Sequence, residues 1–479
     1  MLKPFADART IYQVIEPALR APSVGNAQPW SFRIVADDRV ELRAGPGDAD
    51  GGAAGPGRWE LLLYSPAPGP WAREYTISCG AALLNMRLAI RALGYDPVVT
   101  LVPFPAADPG LLASVEVAAG RTHRPVALDQ ELYGAIRQRH TDRWPFSGVA
   151  VRPGILVEME RAAAREQGWL RVLHGSFART WLKVAAGADA VIAAAGDGAR
   201  DAGRPLPGGE EAAARALSYD TLLGQFRAEL ARWTDDSAAG RGIPGPLLGP
   251  HPARRRAPAR DFRLGEAGHE QVYGKQAGPG AGLSDAAGAS EAGAGEAGGT
   301  RPGGARRARF ERHPQLMMLF TDRDEPIDWL RAGQALQRAL LTAASLSVSA
   351  SFLTQPLELA DLAFQYAPVD GQASRLLGSA HRRLPSLRRA ADASERTSSS
   401  PVERRGYVRR RLLGATPWLE VPQMVIRVGY PAGAAGKPVL GTPRAEPEII
   451  DARAEPARRL ARPAAGGTGD PAGTLPSPG

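Results

Sequence analysis

Two long segments with helical periodicity, TISCGAALLNMRLAIRALGYDP and DWLRAGQALQRALLTAASLSV, constrain the fold of this chain more than any other feature. In the first segment, apolar residues recur on one face at Ile77, Ala81, Leu84 and Leu88. Gly94 stands where a helix commonly ends in a left-handed residue. The second segment repeats this pattern, so the sequence predicts one long helix in each half of the chain.

The elements around these helices recur as well. In the first half, a helical pattern that begins at Ile11 leads into a turn and the strand-like WSFRIV. GILVEMERAAAREQGWLRVLHG repeats that order in the second half, with Trp169 placed like Trp30. VVTLVPF and VPQMVIRVGYP are typical of further strands. The recurrence predicts an internal duplication.

Three low-complexity stretches interrupt this plan. They are rich in Gly and Ala, in Arg and Ser, or in Pro, Gly and Ala, and they contain too little apolar surface to order, so we expect them to be disordered. The chain then divides into a first half, 1–125; the first part of a second half, 126–264; an insertion, 265–312; the second long helix with the loop after it, 313–366; a second insertion, 367–411; the last strand and its continuation, 412–451; and a tail, 452–479.

The cysteine and charge content limit the cellular compartments and the classes of binding partner that the sequence predicts. Cys79 is the single cysteine, so no disulfide framework can form, and the N-terminus carries no apolar run of signal-peptide length. No stretch is long and apolar enough for a membrane span, and a soluble cytoplasmic protein is predicted. The net charge of +9 raises the alternative of a nucleic-acid binder. Because the densest arginine clusters lie in or beside the low-complexity stretches, we interpret them as solvated arms.

Two turns concentrate polar side chains of the kind that hold a ligand. APSVGNAQPW, at 21–30, presents hydroxyl and amide groups, and amides both donate and accept at the edge of a flat polar ring. RQRHTDR brings Arg137, Arg139, Thr141 and Arg143 into one turn, where a bound dianion would relieve the repulsion between the cations. The alternatives are a helix cap with buried hydrogen bonds for the first turn and a charged surface helix end for the second.

These blocks resemble the nitroreductase family of flavin enzymes. APSVGNAQPW is similar to the family's signature turn, and AIRQRHTDRWPF is similar to its arginine turn. LRAGQALQRALLTAASLSVSASFLTQPLE resembles its central helix and the loop at the flavin edge, and VIRVGYPAG with GTPR resembles its last strand and phosphate-binding end. The signature turn comes first here, and this order, the duplication and the single long chain resemble the Acg-type branch, in which one chain supplies both halves of a homodimer. The resemblance covers most of 1–450 outside the insertions.

The resemblance implies a fold, a cofactor and partners. The fold is α+β, with two nitroreductase-like halves, each a mostly antiparallel sheet wrapped by helices, that share a core as a monomeric pseudo-dimer. The cofactor is FMN, which takes a hydride from NAD(P)H and passes electrons to a small-molecule acceptor, a nitro compound or a quinone. No protein acid or base is required for the hydride steps, since the cofactor carries the chemistry.

The resemblance also assigns the residues that bind the cofactor. It gives the phosphate to Arg139 and Thr141, joined by Arg444, and it places Arg143 near the pyrimidine edge of the ring, where a cation favours negative charge. Six further positions are assigned to the isoalloxazine ring, the ribityl chain or the backbone beside the reactive nitrogen: Pro22, Ser23, Asn26, Pro356, Leu357 and Glu358. No catalytic side chain and no metal ligand is assigned.

This chain departs from the family pattern at three places. Ser347 stands where relatives tend to have a helix-ending glycine, and a left-handed serine there costs about 1 kcal/mol. The second half lacks the Pro-Ser and Asn-x-Gln groups and the first half lacks an arginine turn, so one complete site is predicted. Residues 218–262 correspond to a region that folds over the flavin in this branch, which leaves a non-catalytic, FMN-sequestering protein as the alternative to an enzyme.

Overall fold

Within the described residues, the first half of the protein has two α-helices and two strand pairs. The computed structural model describes residues 4–45, 72–103, 108, 110–122, 126–194, 243–244, 247, 259–261, 307–311, 313–365, 407–412, 419–433, 442 and 444–463. The elements of the first half are α1 (Ala8–Ala18), β1 (Trp30–Ala36), β2 (Arg39–Ala44), α2 (Ala72–Ala92), β3 (Tyr95–Leu101) and β4 (Leu111–Thr122).

The second half repeats this order with additions between the elements. Its elements are α3 (Ala127–Gln138), α4 (Pro153–Ala164), β5 (Trp169–Leu173), α5 (Gly175–Ala194), β6 (Ala259–Asp261), β7 (Arg307–Arg309), β8 (Gln315–Thr321), α6 (Pro326–Ser345), β9 (Ser349–Phe352), α7 (Gln355–Gln365) and β10 (Val421–Gly429). Two short strands follow, β11 (Ile449–Asp451) and β12 (Arg458–Arg459).

Each half has its own sheet, and the two sheets are connected in the same way. The first has the order β12-β11-β1-β2-β4-β3 and the second has the order β5-β8-β10-β9. In both, a strand pair is followed by the long helix, α2 or α6, and then by two strands that pair with each other. All pairings within β1-β2-β4-β3 and within β5-β8-β10-β9 are antiparallel, whereas β11 joins β1 in parallel. The prediction of an α+β fold with mostly antiparallel sheets is confirmed.

The two long helices cross at a pair of glycines. A Cβ atom on Gly80 would lie 2.2 Å from the carbonyl oxygen of Leu330, and one on Gly333 would lie 2.0 Å from that of Ile77. Neither distance is possible for a larger residue, so glycine allows the helix backbones to touch. The close approach lets Leu330 enter the apolar core under the first sheet and Ile77 enter the core under the second. Each long helix therefore contributes to the core of the other half.

A buried ion cluster also ties the helices together. Arg87 of α2 donates to the Glu166 carboxylate at 2.6 Å, and Arg338 of α6 donates to the other oxygen of that carboxylate at 2.8 Å. Arg87 also donates to the side chain of Gln334 at 2.7 Å. Because Glu166 follows the end of α4, the cluster fixes this helix end against both long helices.

The two long helices end in left-handed residues. Gly94 has φ 85°, which fits its predicted place after α2. Ser347 has φ 59° after α6, with its own amide donating to Ala344 and the Val348 amide donating to Ala343 at 2.8 Å. This hydrogen-bond pattern closes the helix end whatever the side chain is. Ser347 therefore takes the costly conformation that the departure from glycine implies.

The edges of the two insertions contact the core, unlike the disorder expected for 265–312 and 367–411. In the first insertion, β7 pairs in parallel with β6, and Phe310 is buried. In the second, residues 407–411 are helical, and Arg409 is buried against Asp361, at 2.8 Å, and Asp324. An apolar ring and a charge with buried partners order these edges, although their composition matches that of the surrounding insertion.

The beginning of the tail also differs from the disorder expected for 452–479. Within it, β12 pairs with β11 of the first sheet. Arg453 donates to the carbonyl of Phe5 at 2.6 Å and to the Asp37 carboxylate at 2.8 Å. Apart from 243–244, 247 and 259–261, the candidate lid at 218–262 lies outside the described residues. None of the helices within the described ranges combines the length and hydrophobicity that crossing a bilayer requires.

Candidate functional site

The arginine turn, residues 139–147, runs from the end of α3 along the second sheet. Thr141 forms a parallel β-bridge with Ala350 of β9. At the other end, the amide of Ser147 donates to the carbonyl of Tyr430, next to β10, at 2.9 Å. Both ends of the turn are therefore fixed by the sheet.

A buried arginine contacts the turn from the sheet side. Arg427 of β10 donates to the carbonyl of Trp144 at 2.8 Å and pairs with the Glu311 carboxylate at 2.5 Å. Its guanidinium lies over the rings of Phe146, at 4.0 Å, and Phe310, at 4.8 Å. Sequence reasoning missed this residue; the available signal was one arginine inside the otherwise apolar strand VPQMVIRVGYP.

The opening turn, residues 21–29, has an unusual backbone. Gly25, Asn26 and Gln28 all have positive φ angles, of 56°, 57° and 51°. Asparagine tolerates this conformation, but glutamine adopts it rarely. Such conformations persist where the surroundings impose them, and they cluster at ligand sites.

Hydrogen bonds fix this backbone. The hydroxyl of Ser23 accepts from the amide of Gln28 at 3.1 Å, across the turn. The amide of Val24 donates to the hydroxyl of Ser78 on α2 at 3.3 Å. The side-chain oxygen of Gln28 accepts from the amide of Ala445 at 3.0 Å. The last contact brings Arg444 beside the opening turn, while Pro22 and Asn26 are buried within it.

The opening turn and the arginine turn meet at Arg139. Its Nη2 donates to the carbonyl of Arg20 at 3.1 Å, next to the opening turn. Burial, then Arg444 and Arg143, lower the pKa of Arg139 to about 10. Burial also lowers the pKa of Arg143 to about 10, against the opposing attraction of Asp142. Arg139 therefore lies within electrostatic reach of both other arginines that the sequence assigned to the cofactor.

The pKa of Arg444 is lowered as well. Burial is the main cause, and Arg20 adds to it, while Glu16 opposes the shift. The Arg444 side chain is nevertheless exposed at its surface, so it lies at the rim of the cluster and solvent weakens its interactions. The site thus has two half-buried arginines and one exposed arginine at its edge.

Several polar atoms of the arginine turn have no hydrogen-bond partner among the described residues. The buried ones are Arg139 Nε, Trp144 Nε1 and Ser147 Oγ. Arg143 donates no hydrogen bond to any residue in the described ranges. An unmet buried donor costs about 1–3 kcal/mol, and native proteins leave few of them. A phosphate, with its negative charge and several acceptor oxygens, fits this combination of unmet donors and mutually repelling cations.

The predicted flavin-edge loop forms the first turn of α7. The amides of Leu357 and Glu358 donate to the carbonyl of Thr354 at 2.8 and 3.2 Å. The Thr354 hydroxyl donates to the Glu358 carboxylate at 2.8 Å, and both side chains are buried. Pro356 has no amide hydrogen, and the amides of Leu357 and Glu358 are bonded within the helix. The assignment of these three positions to the cofactor stays a prediction. The loop follows β9, whose Ala350 accepts from the amide of Asp142 in the arginine turn at 2.9 Å.

The chain is similar to mycobacterial proteins. It is 28% identical over 360 residues to the putative NAD(P)H nitroreductase MT3217 of Mycobacterium tuberculosis (strain CDC 1551 / Oshkosh), a match that covers 74% of this chain and 79% of that protein. It is 34% identical over 141 residues to the putative NAD(P)H nitroreductase acg of M. tuberculosis (strain ATCC 25618 / H37Rv), which covers 29% of this chain and 36% of that protein. No protein-family model matches the chain. The chain therefore resembles proteins named as putative NAD(P)H nitroreductases, with Acg among these relatives.

Proposed function

We propose that this protein binds FMN between its two halves and acts as an NAD(P)H-dependent oxidoreductase toward nitro compounds or quinones. The observation that carries the proposal is the group of close arginines with unmet donors where the arginine turn meets the opening turn. The names of the relatives point to the same class of reaction.

The phosphate would be bound by Arg139 and Thr141, with Arg444 closing the rim. The buried Nε of Arg139 lacks a partner in the described protein, and a guanidinium donates to a phosphate from a fixed fork. A bound dianion would also offset the burial of the charge and the repulsion from Arg444 and Arg143, which together lower the pKa of Arg139. The same cluster favours a terminal phosphate, as in FMN, over an internal diphosphate.

The ring would lie between the arginine turn and the opening turn. Arg143 supplies a cation for the pyrimidine edge, and Trp144 supplies an indole N–H that has no partner among the described residues. From the other half, Pro22 and Asn26 would contact the ring and the ribityl chain, while Ser23 fixes their backbone. When bound, FMN supplies the hydride and electron transfer. The chain's own residues bind it, orient it and favour negative charge at one edge.

The matching sheet connectivity supports a duplicated, monomeric pseudo-dimer. Both halves have the same order of helix, strand pair, long helix and strand pair. The two long helices exchange side chains between the cores, as identical subunits do across a symmetric interface. In this arrangement one chain contributes the opening turn and the arginine turn to one site.

The test is the flavin content and reduction of the purified protein. We expect a yellow protein that releases FMN, not FAD, on heating. We also expect it to bleach anaerobically with NADH or NADPH and to be reoxidised by a quinone. A protein that stays colourless after incubation with FMN would refute the assignment.

A second variant separates an enzyme from a flavin store. In it, residues 218–243 are replaced by a short Gly/Ser linker, because an active enzyme must let two substrates reach the flavin in turn. Bleaching of the intact chain supports the enzyme, whereas bleaching only after the replacement supports sequestration. Bound FMN that neither protein bleaches would argue against nicotinamide chemistry.

A further inference from the structure

A charged pair lies in the interior of the second sheet, outside the set of cofactor-binding residues. Arg427 is 1% exposed, between Ile426 and Val428 of a strand that is buried along its whole length. Its partner Glu311 has a side chain that is 6% exposed. Replacing such a pair with apolar residues is often neutral or stabilising, so stability alone is a weak reason for its presence.

The pair binds the backbone of the arginine turn on both sides of Pro145. Arg427 donates to the carbonyl of Trp144 at 2.8 Å, and Glu311 accepts from the amide of Phe146 at 3.0 Å. Arg427 and Glu311 thus provide hydrogen-bond partners for one carbonyl and one amide of the turn, and their own opposite charges neutralise each other. Because Arg143 directly precedes Trp144, these two contacts hold the part of the turn that carries its central cation.

The ring of Phe146 gives the turn a second contact with the same strand. It lies 4.0 Å from the guanidinium of Arg427. A Cβ atom on Gly429 would lie 2.6 Å from the ring, so only glycine leaves room for it there. Arg427 and Gly429 are two positions apart and therefore face the same side of the strand. Together they form the surface on which the turn rests.

We propose that Arg427, with Glu311, is a positioning residue that holds Arg143 and Trp144 in the geometry that binds the cofactor. This role rests on the proposed function, since FMN is the ligand for which the turn is positioned. Arg427 acts through the turn's backbone and is not itself placed against the ligand. Lysine would keep the charge but lose the planar fork and the stacking.

The experiment compares Arg427→Gln, Arg427→Lys and Gly429→Ala with a buried-charge control, Arg338→Gln. Arg338 is 5% exposed and pairs with Glu166, away from the turn. Two quantities are measured: the Kd for FMN by fluorescence titration, and hydrogen exchange of the amides at 142–147 in the cofactor-free protein.

We expect Arg427→Gln to weaken FMN binding roughly tenfold to a hundredfold and to speed exchange at 142–147. Arg427→Lys should restore part of both losses. Gly429→Ala should act in the same direction without a change in charge. Arg338→Gln should lower the thermal stability but leave the Kd and the exchange at 142–147 unchanged.

Wild-type Kd and wild-type exchange in both Arg427→Gln and Gly429→Ala would overturn the proposal. So would an equal loss of FMN affinity in Arg338→Gln. If the wild-type protein binds no FMN, the proposed function fails, and the exchange data still test whether Arg427 holds the turn. If Arg427→Gln does not fold, Gly429→Ala and Arg427→Lys carry the test.

Discussion

At the scale of single residues, the site depends on positive charge that the described protein does not neutralise. Arg139 lies in a desolvated position near two other arginines, and its side chain donates, within the described ranges, to a backbone carbonyl and to no carboxylate. Burying cations close to one another without anionic partners lowers the free energy of unfolding. An anionic ligand that binds only the native state would raise it again. Arg87 is different, because it pairs with the carboxylate of Glu166 and its charge is neutralised within the protein. The arrangement around Arg139 therefore suits a binding site better than a structural role.

Replacing Arg139 with alanine separates a phosphate site from general basicity. We expect Arg139→Ala to cost about 2–5 kcal/mol of FMN binding, because it removes one partner of an enclosed charge pair. The control is Arg161→Ala, whose side chain is 70% exposed and pairs only with Glu158 on the same helix. It should leave the Kd unchanged, since exposed charges are screened. Equal losses in the two variants, measured by fluorescence titration, would show that overall charge attracts the flavin.

The lowered pKa values of Arg139 and Arg143 predict a pH limit on binding. Each guanidinium must be charged to attract phosphate, and each has a pKa of about 10 in the cofactor-free protein. FMN affinity should therefore be fully present below pH 10 and fall as the pH rises above it. A second decline is expected below about pH 6, where the phosphate loses its second charge. Titrations across pH 5–11 test this, and a constant Kd between pH 8 and 11 would contradict it.

At the scale of elements, the crossing of α2 and α6 determines how the two halves share their cores. The helices approach so closely at Gly80 and Gly333 that neither position has space for a methyl group. Any separation of the helices would also withdraw Ile77 and Leu330 from the cores of the opposite halves. The opening turn is attached to α2 by the hydrogen bond from the Val24 amide to Ser78. The arginine turn follows α3, which packs on both long helices, so the crossing also sets the relative position of the two turns.

Two glycine substitutions test the crossing. Gly333→Ala places a methyl group 2.0 Å from the backbone oxygen of Ile77 and should destabilise the protein by about 1–3 kcal/mol or more. Gly134→Ala on α3 is the control, because nothing lies within 4 Å of its added methyl group. It should stabilise the protein by up to about 1 kcal/mol, since alanine favours helix. Denaturant unfolding gives both values, and two changes of the same sign would contradict this account of the crossing.

At the scale of the whole molecule, the two halves match in connectivity but differ in the segment between their first helix and first strand. After α1 the chain forms the long opening turn, whereas after α4 it reaches β5 within the short segment 165–168. In that short segment, Glu166 is held by Arg87 and Arg338, so a carboxylate occupies the end of α4. This shorter segment stands where the first half has the opening turn, and one complete site per chain stays the prediction.

This asymmetry predicts the stoichiometry. FMN titration of the cofactor-free protein, followed by fluorescence and by calorimetry, should saturate near one FMN per chain. Arg139→Ala should reduce that single binding step and should not expose a second one. Saturation at two FMN per chain would show that the second half retains a site despite its shortened turn.

Local patterns in the sequence determined the elements and the site's chemical type. Apolar periodicity predicted both long helices, and the glycine at 94 marked a helix end, because helix formation and termination depend on neighbouring residues. The cation turn was recognisable because its arginines are adjacent in sequence. The composition of the insertions differs from that of a core, and by itself it does not distinguish Glu311 or Arg409, which have buried partners, from the residues around them.

The tertiary structure alone decided which of these residues meet. Arg427 and Glu311 are 116 residues apart, and Arg139 reaches the carbonyl of Arg20 across 119 residues. No local sequence pattern predicts such pairs, because the residues next to an arginine in sequence do not show whether its side chain will be buried or solvated. The crossing at Gly80 and Gly333 likewise depends on the surfaces of both helices, which lie far apart in the sequence. Charge and periodicity are local properties, whereas burial and partnership arise only when distant segments share one volume.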